Sequence, residues 1–596
     1  MELLNLDGVV EKGVFEIPSY QRGYAWQIRQ LKDFWNDLEH VSKLGDKFHY
    51  MHSLTLRELE NEFEDSAFEI IDGQQRLATS LILLGLLAKT TQNKDPKYSL
   101  INLEPVLSYK YYGLSEAFRA IMEEEKDLER FQTSFYAKNL IDAHAFFKEK
   151  ISNTPVGTLE KMFDALIKKM LFSVVELNDN RIDPFSSFET INNRGKDLST
   201  LELLKNRLHF VVHKICDEED LENLQQEIND TYTRIYYDLR RFEDDHLESF
   251  LKHFVAYYYG EKRDFKERLL NTAFDAHKKY DDLYDEYEKI NDLLLHLSYS
   301  SKVWYFLHTL DDEELRIEIT SKMRGLLDKM RRLNALSENA FLPLLLSLLT
   351  IQLAVRSGSE RHYTTKELEG LLEYLERFGF LIYGVAGKNT AKNEWIESAF
   401  RAFKAYKLWG DKITIEDLPT LEKNFFKGEH SGLELLEESI HSKKNTEKWY
   451  RWGKALNYLL YEYELYHNPE TTLNFDGSIE SIEHILPQKP DQGYSAKEKS
   501  WAKNPHIVHA LGNLLLISKN ANSSLSNKPF DEKRKEYLKG YYSEKEVAKN
   551  ASFGITEIQK RSEKLLDFLI ARYRIAELVG ESAIKAFKNA LLKEIT

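Results

Sequence analysis

The last quarter of the sequence holds the residues whose types and order are best suited to chemistry. A carboxylate stands directly before a histidine at Glu483 and His484, and two asparagines, Asn513 and Asn522, follow along the chain. Glu483 and Asn522 could supply oxygen ligands to one hard divalent cation, Mg²⁺ or Mn²⁺. His484 could take a proton from water attacking phosphorus, while Asn513 holds the loop that carries it. The order predicts a ββα-metal site. In the alternative interpretation, His484 is an ordinary loop histidine and the asparagines cap helices.

Three short motifs nearer the N-terminus carry a second set of reactive side chains, at residues 17–26 (IPSYQRGYAW), 71–76 (IDGQQR) and 188–196 (FETINNRGK). Asp72 could hold a metal ion or orient water. Gly73 and Gly195 would let backbone amides approach an anion closely. Cationic donors to phosphate groups are available at Arg22, Arg76, Arg194 and Lys196. Alternatively, the arginines form surface ion pairs and the glycines only make turns, and Arg22 alone could contact DNA.

The elements that must position the N-terminal motifs follow from the hydrophobic pattern. Short apolar or alternating runs predict strands at 14–17, 51–57, 68–71 and 171–177. Helical spacing predicts helices at 30–44 and 77–88, and a helical segment up to about residue 169. Ser199 or Thr200 is expected to cap a helix that begins at residue 201. The first part of the chain is therefore expected to be mixed α/β.

The rest of the sequence is dominated by helical spacing. Residues from about 205 to 455 are predicted to be almost continuously helical, and further helices are predicted at 455–466 and 556–573. A compact segment rich in His, Asn and Pro lies between those two helices. We predict an α+β fold that is predominantly helical, with segments 1–205, 206–455 and 456–596.

Composition excludes several classes of protein. The chain has 596 residues, 42% of them hydrophobic, which is ample for packed cores and excludes global disorder. A single cysteine cannot form an internal disulfide or a cysteine-based zinc cluster. The longest apolar stretch, 341–355, is shorter than the roughly 20 residues that span a bilayer, and the N-terminus does not resemble a signal peptide. We expect a soluble, cytoplasmic protein. Its net charge of −15 disfavours a uniformly basic DNA clamp but not one small basic site.

The C-terminal motifs resemble a known family. Residues 483–487 (EHILP), 511–514 (LGNL) and Asn522, with 527–530 (NKPF), are similar to the HNH endonuclease domain at the C-terminus of GmrSD-type, type IV modification-dependent restriction enzymes. Glu483 replaces the more frequent aspartate. The resemblance implies metal-dependent cleavage of DNA, with His484 and Asn513 in catalytic roles and Glu483 and Asn522 as metal ligands.

The three N-terminal motifs resemble the ParB-like domain of the same enzymes. That resemblance implies binding and hydrolysis of a nucleoside triphosphate, coupled to DNA cleavage. A small, glycine-like residue would be expected where this chain has His52. By the resemblance, hydrolysis involves Asp72, Gln75 and Arg76. The nucleotide-binding residues would be Tyr20, Arg22, Gly73, Gln74, Arg76, Asn193, Arg194, Gly195 and Lys196.

Together the two resemblances predict an anti-phage restriction enzyme that nicks or cuts foreign or modified double-stranded DNA under nucleotide control. Relatives act on glucosylated hydroxymethylcytosine DNA or respond to phosphorothioate marks, and the sequence does not choose between these. A homodimer would help to cut both strands. The rival hypotheses are a nucleotide-dependent DNA-binding switch without nuclease activity and a nucleotidase with no DNA substrate.

Three other patterns resemble functional signals. Residues 384–390 (GVAGKNT) resemble a P-loop, but Ile382 stands where its first glycine is needed. The tyrosines at 257–259 are expected to pack in the core rather than to stack on bases. The basic run at 533–535 (KRK) is expected to be either a solvated helix face or a DNA contact.

Overall fold

A computed structural model describes most of the chain. The described residues are 2–59, 66–93, 95–110, 113–177, 198–216, 218–240, 242, 244–275, 283–313, 315, 317–355, 362–469, 480–490 and 492–595. The chain forms two compact units. The N-terminal unit contains residues 1–316 and 346–359, and the C-terminal unit contains residues 317–345 and 360–596. The three-segment division made from the sequence stays a prediction.

The N-terminal unit is built around a six-stranded mixed sheet. In chain order its strands are β1 (Glu2–Asn5), β2 (Val14–Ile17), β3 (His49–Leu59), β4 (Ala67–Asp72), β5 (Leu107–Tyr109) and β6 (Met170–Glu176). The spatial order is β1-β6-β3-β4-β2-β5. Pairing is antiparallel for β1–β6 and β3–β4, and parallel for β3–β6, β2–β4 and β2–β5. The mixed sheet confirms the α/β character predicted for this part of the chain.

The two edge strands were not predicted from the sequence. β1 and β5 have only four and three residues, too few to establish a period of two. β5 interrupts a segment that helical spacing predicted to be continuous, so that prediction was wrong there. Its pairing with β2 through Phe15 and Leu107 is a long-range contact that no local pattern encodes.

Strand β3, at the centre of the sheet, contains a bulge. Its pairing with β6 shifts register between Tyr50 and Ser53, and His52 has φ 64°, in the left-handed region that favours glycine. The family resemblance predicts a small, glycine-like residue at this position, and this backbone conformation is one that glycine adopts without strain. His52 adopts it with an exposed side chain.

Helices make up most of the remaining described structure, which confirms a predominantly helical α+β fold. Those of the N-terminal unit are α1 (Leu6–Lys12), α2 (Ile28–Ser42), α3 (Gln74–Thr90), α4 (Leu100–Leu103), α5 (Leu114–Met122), α6 (Phe135–Ser152), α7 (Val156–Lys169), α8 (Thr200–Ile215), α9 (Glu218–Asp238), α10 (Asp244–Tyr259) and α11 (Leu283–Thr309). Tyr257 on α10 is fully buried and its hydroxyl lies 2.6 Å from Ser300 Oγ, so it packs in the core as expected.

The C-terminal unit combines helices with one two-stranded sheet, β7 (Glu480–His484) and β8 (Leu514–Ser518). The helix at Leu342–Ala354 has residues in both units. The remaining helices are α12 (Ser321–Ser337), α13 (Leu342–Ala354), α14 (Thr365–Phe378), α15 (Lys392–Trp409), α16 (Leu421–Phe425), α17 (Gly432–His441), α18 (Lys454–His467), α19 (Ala496–Trp501), α20 (Pro505–Val508), α21 (Lys519–Leu525), α22 (Phe530–Tyr537), α23 (Tyr542–Ala548), α24 (Ile555–Arg572) and α25 (Ala576–Lys593).

The P-loop-like run at residues 384–390 is part of the packed structure of the C-terminal unit. Part of the P-loop-like run lies in a buried π-helical segment, Gly379–Val385, and Lys388 Nζ donates to the carbonyl oxygens of Asn424 and Phe426 at 2.8 and 2.7 Å. This lysine therefore holds a loop in place, as expected for a chance match to the P-loop pattern.

Within the described residues, every helix is too short or too polar to cross a lipid bilayer.

Candidate functional sites

The C-terminal motif residues lie on a strand–strand–helix arrangement. β7 and β8 pair antiparallel with His484 opposite Leu514, and α21 follows β8 directly. Ser518 caps α21 by accepting the backbone N–H of Ala521. The strand pair places His484 at the end of β7 and Asn513 immediately before β8, while α21 carries Asn522. The structure thus brings together the motif residues that are separated along the chain.

His484 is a buried histidine paired with a second histidine. Its side chain is 7% exposed, and its Nε2 lies 3.0 Å from His509 Nδ1. Gln488 Nε2 lies 3.3 Å from His484 Nδ1, and the Tyr450 ring stacks on His509. Burial, followed by the nearby His509 and Lys533, lowers the pKa of His484 to about 3. The imidazole is therefore neutral at neutral pH, which is the form that accepts a proton.

Asn513 holds the loop that follows His484. It is fully buried, and its Oδ1 accepts the backbone N–H of Leu486 at 2.7 Å. Its Nδ2 donates to the carbonyl oxygens of Leu486 and Val508 at 3.0 and 2.7 Å. The backbone N–H of Ile485 donates to the Asn513 carbonyl at 3.0 Å. These contacts fix the 484–486 segment, and a catalytic role for Asn513 stays a prediction.

The Asn513 turn is itself supported by helix α24. Arg561 Nη1 donates to the carbonyl oxygens of Gly512 and Leu514 at 2.9 and 2.7 Å, and Ser562 Oγ accepts the N–H of Gly512 at 2.8 Å. A Cβ at Gly512 would lie 2.0 Å from the carbonyl oxygen of Ile558. Only glycine therefore lets this turn approach α24 closely enough for the arginine contacts to form.

Glu483 faces a buried cation that the sequence analysis did not predict. Lys533 Nζ lies 2.5 Å from Glu483 Oε1, and Tyr537 donates its hydroxyl to the same oxygen at 3.1 Å. Burial raises the pKa of Glu483, against the opposing effect of Lys533. The sequence analysis placed Lys533 either on a solvated face or against DNA. Both interpretations are wrong for this residue, because it is completely buried, whereas Lys535 two positions later is exposed.

Glu483 and Asn522, the two predicted metal ligands, each use only some of their polar atoms in these contacts. Asn522 Nδ2 donates to Ser481 Oγ at 2.7 Å and to the Ile482 carbonyl at 3.2 Å, and neither contact uses its Oδ1. Lys533 and Tyr537 both contact Oε1 of Glu483, and neither uses Oε2. Among the described residues, no three His, Cys, Asp or Glu side chains cluster to hold a metal ion. Glu483 Oε2 and Asn522 Oδ1 are therefore the two oxygen atoms that these contacts leave for a cation, and a metal site here stays a prediction.

In the N-terminal unit, glutamine side chains join two of the motifs. Gln75 Oε1 accepts the backbone N–H of Ala25 at 2.8 Å, and its Nε2 donates to the Gly23 carbonyl at 2.9 Å. Gln74 Nε2 donates to the carbonyl of Arg22 at 3.0 Å. The glutamines thus position the 22–25 loop. Direct participation of Gln74 and Gln75 in nucleotide binding or hydrolysis stays a prediction.

Asp72 and Arg76 form a partly exposed pair at the start of α3. Arg76 Nη2 donates to Asp72 Oδ2 at 3.0 Å and to the Ser53 carbonyl at 2.6 Å, and Ser53 Oγ donates to Asp72 Oδ2 at 3.0 Å. Each of the two charged side chains is 21% exposed. Gly73 between them has φ 104°, and a Cβ there would lie 2.9 Å from Leu54 Cδ1. The arrangement leaves a carboxylate, a guanidinium and a helix N-terminus together at one partly open position.

The other predicted nucleotide-binding residues are placed differently. Tyr20 is buried against Ile71, with Leu198 and Phe210 packed beside it. Arg22 is also buried, so it is not a residue of the surface. The four predictions in the third motif, at Asn193, Arg194, Gly195 and Lys196, lie outside the described residues.

Three residues that contact the C-terminal site were not predicted to belong to it: His509, Lys533 and Tyr537. Lys533 and Tyr537 lie 50 and 54 positions beyond the glutamate they contact. Their spacing to Glu483 carries no local signal. His509 stands in the same segment as Asn513, and its identity as a second histidine was the one available clue.

Comparison with known proteins matches both parts of the chain to one family. Residues 5–209 match the family described as GmrSD restriction endonuclease, N-terminal domain. Residues 436–568 match the family described as GmrSD restriction endonucleases, C-terminal domain. No curated protein matches the sequence. The two matches cover more than half of the chain and include the His484 site and the Asp72–Arg76 pair. The chain belongs to the GmrSD restriction endonuclease family, whose substrate is DNA.

Proposed function

We propose that this protein is an anti-phage restriction endonuclease that nicks or cleaves foreign or modified double-stranded DNA by metal-dependent hydrolysis of the HNH type. Binding or hydrolysis of a nucleoside triphosphate in the N-terminal unit gates that cleavage. The observation that carries the proposal is the neutral, buried His484 at the end of β7, with Glu483 beside it and Asn513 fixing its loop.

In the proposed reaction, His484 acts as the general base. It takes a proton from a water molecule as the water oxygen attacks phosphorus, and the bond from phosphorus to the leaving oxygen breaks. His509 and Tyr450 hold the imidazole ring during this step. The negative charge of a bound phosphate would raise the pKa of His484 from its low value and so strengthen it as a base.

Glu483 and Asn522 are the residues that would hold Mg²⁺ or Mn²⁺ in this site. When bound, such a cation stabilises the negative charge that develops on the leaving oxygen. The protein's own contribution is to keep Glu483 Oε2 and Asn522 Oδ1 clear of the contacts that engage their other polar atoms.

The proposed nucleotide site is the start of α3. Gly73 lets phosphate oxygens approach the backbone amides, the helix N-terminus favours negative charge, and Arg76 donates to it. Asp72 would orient the attacking water. Gln75 links this position to the 22–25 loop. A nucleotide-dependent movement of α3 would therefore also move that loop. Tyr20, Arg22 and the third motif would complete the site as the resemblance implies.

Gating of the nuclease would protect the host cell, because an ungated nuclease would damage the host chromosome. We propose that it works in the cytoplasm, where phage DNA enters. Recognition of a modified base or a phosphorothioate mark would license cleavage, and two chains in a homodimer would supply one nuclease site for each strand.

The test combines purified protein with modified phage DNA, phosphorothioated DNA and plain plasmid. Each is incubated with Mg²⁺ or Mn²⁺, with and without each of the four nucleoside triphosphates, beside a His484→Ala variant. Nicking that requires His484 and changes with nucleotide supports the proposal, and the preferred DNA identifies the mark. If the protein hydrolyses nucleotide but leaves all three DNAs intact, the proposed nuclease activity is wrong and the DNA-binding switch replaces it.

A further inference from the structure

Lys533 is a buried ammonium group whose three protons all have acceptors in one short segment. It lies on α22, is 0% exposed, and donates to Glu483 Oε1 at 2.5 Å, to the His484 carbonyl at 2.9 Å and to the Ile485 carbonyl at 3.3 Å. A lysine has three donors and no acceptor. All three of these hydrogen bonds are therefore made to the segment that carries the nuclease motif.

The opposite edge of that segment is held by Asn513. The N–H groups of Ile485 and Leu486 donate to the backbone and side-chain oxygens of Asn513, whereas the carbonyl oxygens of His484 and Ile485 accept from Lys533. The peptide groups that follow His484 are thus bound on both their N–H and their C=O sides. Because the ring position depends on its backbone, this double attachment restricts where the His484 imidazole can lie.

Stability alone does not explain the buried pair. Replacing a buried ion pair with well-packed apolar residues is often neutral or stabilising, because removing two charges from water costs several kcal/mol per ion. The lysine also makes its contact with one oxygen of Glu483 only, and Tyr537 adds its hydroxyl to that same oxygen. These two donors on Oε1 fix the orientation of the carboxylate.

We propose that Lys533 is a positioning residue of the nuclease site. It orients Glu483 and fixes the His484 backbone. The inference rests on the proposed function of the C-terminal site.

Lys533→Met tests this, because methionine has a similar length and no charge. Lys539→Met, at an exposed lysine two residues beyond the end of the same helix, is the matched control. Mn²⁺ binding is measured by electron paramagnetic resonance without DNA at pH 8.5, and plasmid nicking is measured at saturating Mn²⁺. We expect Lys533→Met to lower turnover about 100-fold, the size of effect that a misplacement of about 1 Å produces. The concentration of Mn²⁺ for half-saturation should stay the same or fall. Lys539→Met should change neither value.

Tyr537→Phe keeps the inference testable if Lys533→Met does not fold. It removes one hydroxyl from Glu483 Oε1 and preserves the ring, so turnover should fall several-fold while Mn²⁺ binding is kept. A parallel loss of Mn²⁺ binding and turnover in whichever variant folds would mean that the residues only maintain structure, and unchanged turnover would remove their role altogether. Either result overturns the inference while wild-type nicking remains intact. Absence of wild-type nicking would overturn the proposed function together with it.

Discussion

Two buried side-chain amides, Gln75 in the N-terminal unit and Asn513 in the C-terminal unit, act in the same way on a neighbouring loop. Each accepts a backbone N–H through its oxygen and donates to a backbone C=O through its nitrogen. In both units, a motif residue that the sequence placed among the candidate catalytic residues thus holds a loop in position. A loop that lacks strand partners obtains its hydrogen bonds from one side chain.

The charged groups of the two units differ. Asp72 and Arg76 are four residues apart, pair with each other and remain partly exposed. Glu483 and Lys533 come from distant positions and are buried. The exposed pair can exchange its partner for a ligand at little cost, whereas the buried pair resists any change of partner because an unpaired buried charge is expensive. The N-terminal site is therefore suited to reversible binding and the C-terminal site to rigid positioning.

The largest effect expected from this comparison is on the C-terminal chemistry. His484→Ala should lower DNA nicking by about 10³-fold, since general-base catalysis contributes roughly 10²–10⁴-fold. Nucleotide hydrolysis in the N-terminal unit should be unchanged. His430→Ala, at an exposed histidine of the same unit, is the control for plasmid nicking. Retention of nicking within tenfold by His484→Ala would show that another residue is the base.

The two amides should differ in how much stability they provide. Asn513→Ala removes three side-chain hydrogen bonds and should destabilise its unit by about 3 kcal/mol, and Gln75→Ala removes two and should cost about 2 kcal/mol, since unsatisfied buried polar groups cost roughly 1–3 kcal/mol each. Hydrogen exchange of peptides from each unit under increasing urea measures both values. A smaller loss for Asn513→Ala than for Gln75→Ala would contradict the comparison.

Acid should destabilise both units through buried neutral histidines. Burial, reinforced by Lys148, lowers the pKa of His144 in the N-terminal unit to about 4, and the pKa of His484 is lowered to about 3. Below the unfolded value near 6.5, the unfolded chain binds protons that the folded chain does not. Stability should be complete above pH 6.5 and fall by about 2 kcal/mol per histidine at pH 5, at about 1.4 kcal/mol per pKa unit.

Chemical denaturation of the N-terminal unit at pH 8 and pH 5 measures this loss. His144→Gln, which stays uncharged, should remove the His144 contribution. An identical acid sensitivity in that variant would assign the effect to other groups.

A side chain at Gly73, which lies between Asp72 and Arg76, should destabilise the N-terminal unit. Gly73→Ala forces a Cβ to 2.9–3.0 Å from Leu54 and Ser53 at positive φ and should destabilise the unit by about 2 kcal/mol. It should also weaken nucleotide binding, measured by calorimetry. Gly157→Ala is the matched control on α7, where a Cβ meets nothing within 4 Å, and it should stabilise slightly. Wild-type nucleotide affinity in Gly73→Ala would argue against phosphate binding at this position.

The smallest expected effect is an increase in the stability of the N-terminal unit. His52→Gly relieves the left-handed backbone of a non-glycine residue and should stabilise the N-terminal unit by up to about 1 kcal/mol, as measured by thermal unfolding. His49→Gly, in the regular part of β3, should destabilise it by a similar amount because glycine weakens a strand. Destabilisation by His52→Gly would mean that the exposed imidazole makes a contribution larger than the backbone strain.

Much of the fold could be predicted because it depends on local patterns. The helix predicted at 77–88 is observed as α3, and the strand at 14–17 is β2 with the predicted bounds. Residue 199 caps α8 through its side chain, as one of the two predicted caps. The elements that were missed, β1 and β5, are short edge strands whose existence depends on pairing with distant partners.

The candidate sites divide in the same way. Sequence order alone identified the acid, the histidine and the two asparagines of the C-terminal site, because motif residues of fixed type recur at recognisable positions. It also identified Asp72, Gly73 and Arg76, which lie on one strand-to-helix turn. It gave no indication that Gln75 binds a loop or that Lys533 is buried, since both facts depend on what packs against those side chains.

By itself, the sequence determined the helices and main strands, the need for a glycine-like backbone near residue 52, and the membership of both ends of the chain in one family. Periodicity, turn chemistry and motif order are local properties, so they can be read without a fold. The tertiary structure alone decided which cation faces Glu483, which histidine contacts His484, and that the basic run begins with a buried lysine. Those partners lie up to 50 residues apart, and only packing of α22 against β7 brings their atoms within hydrogen-bonding distance.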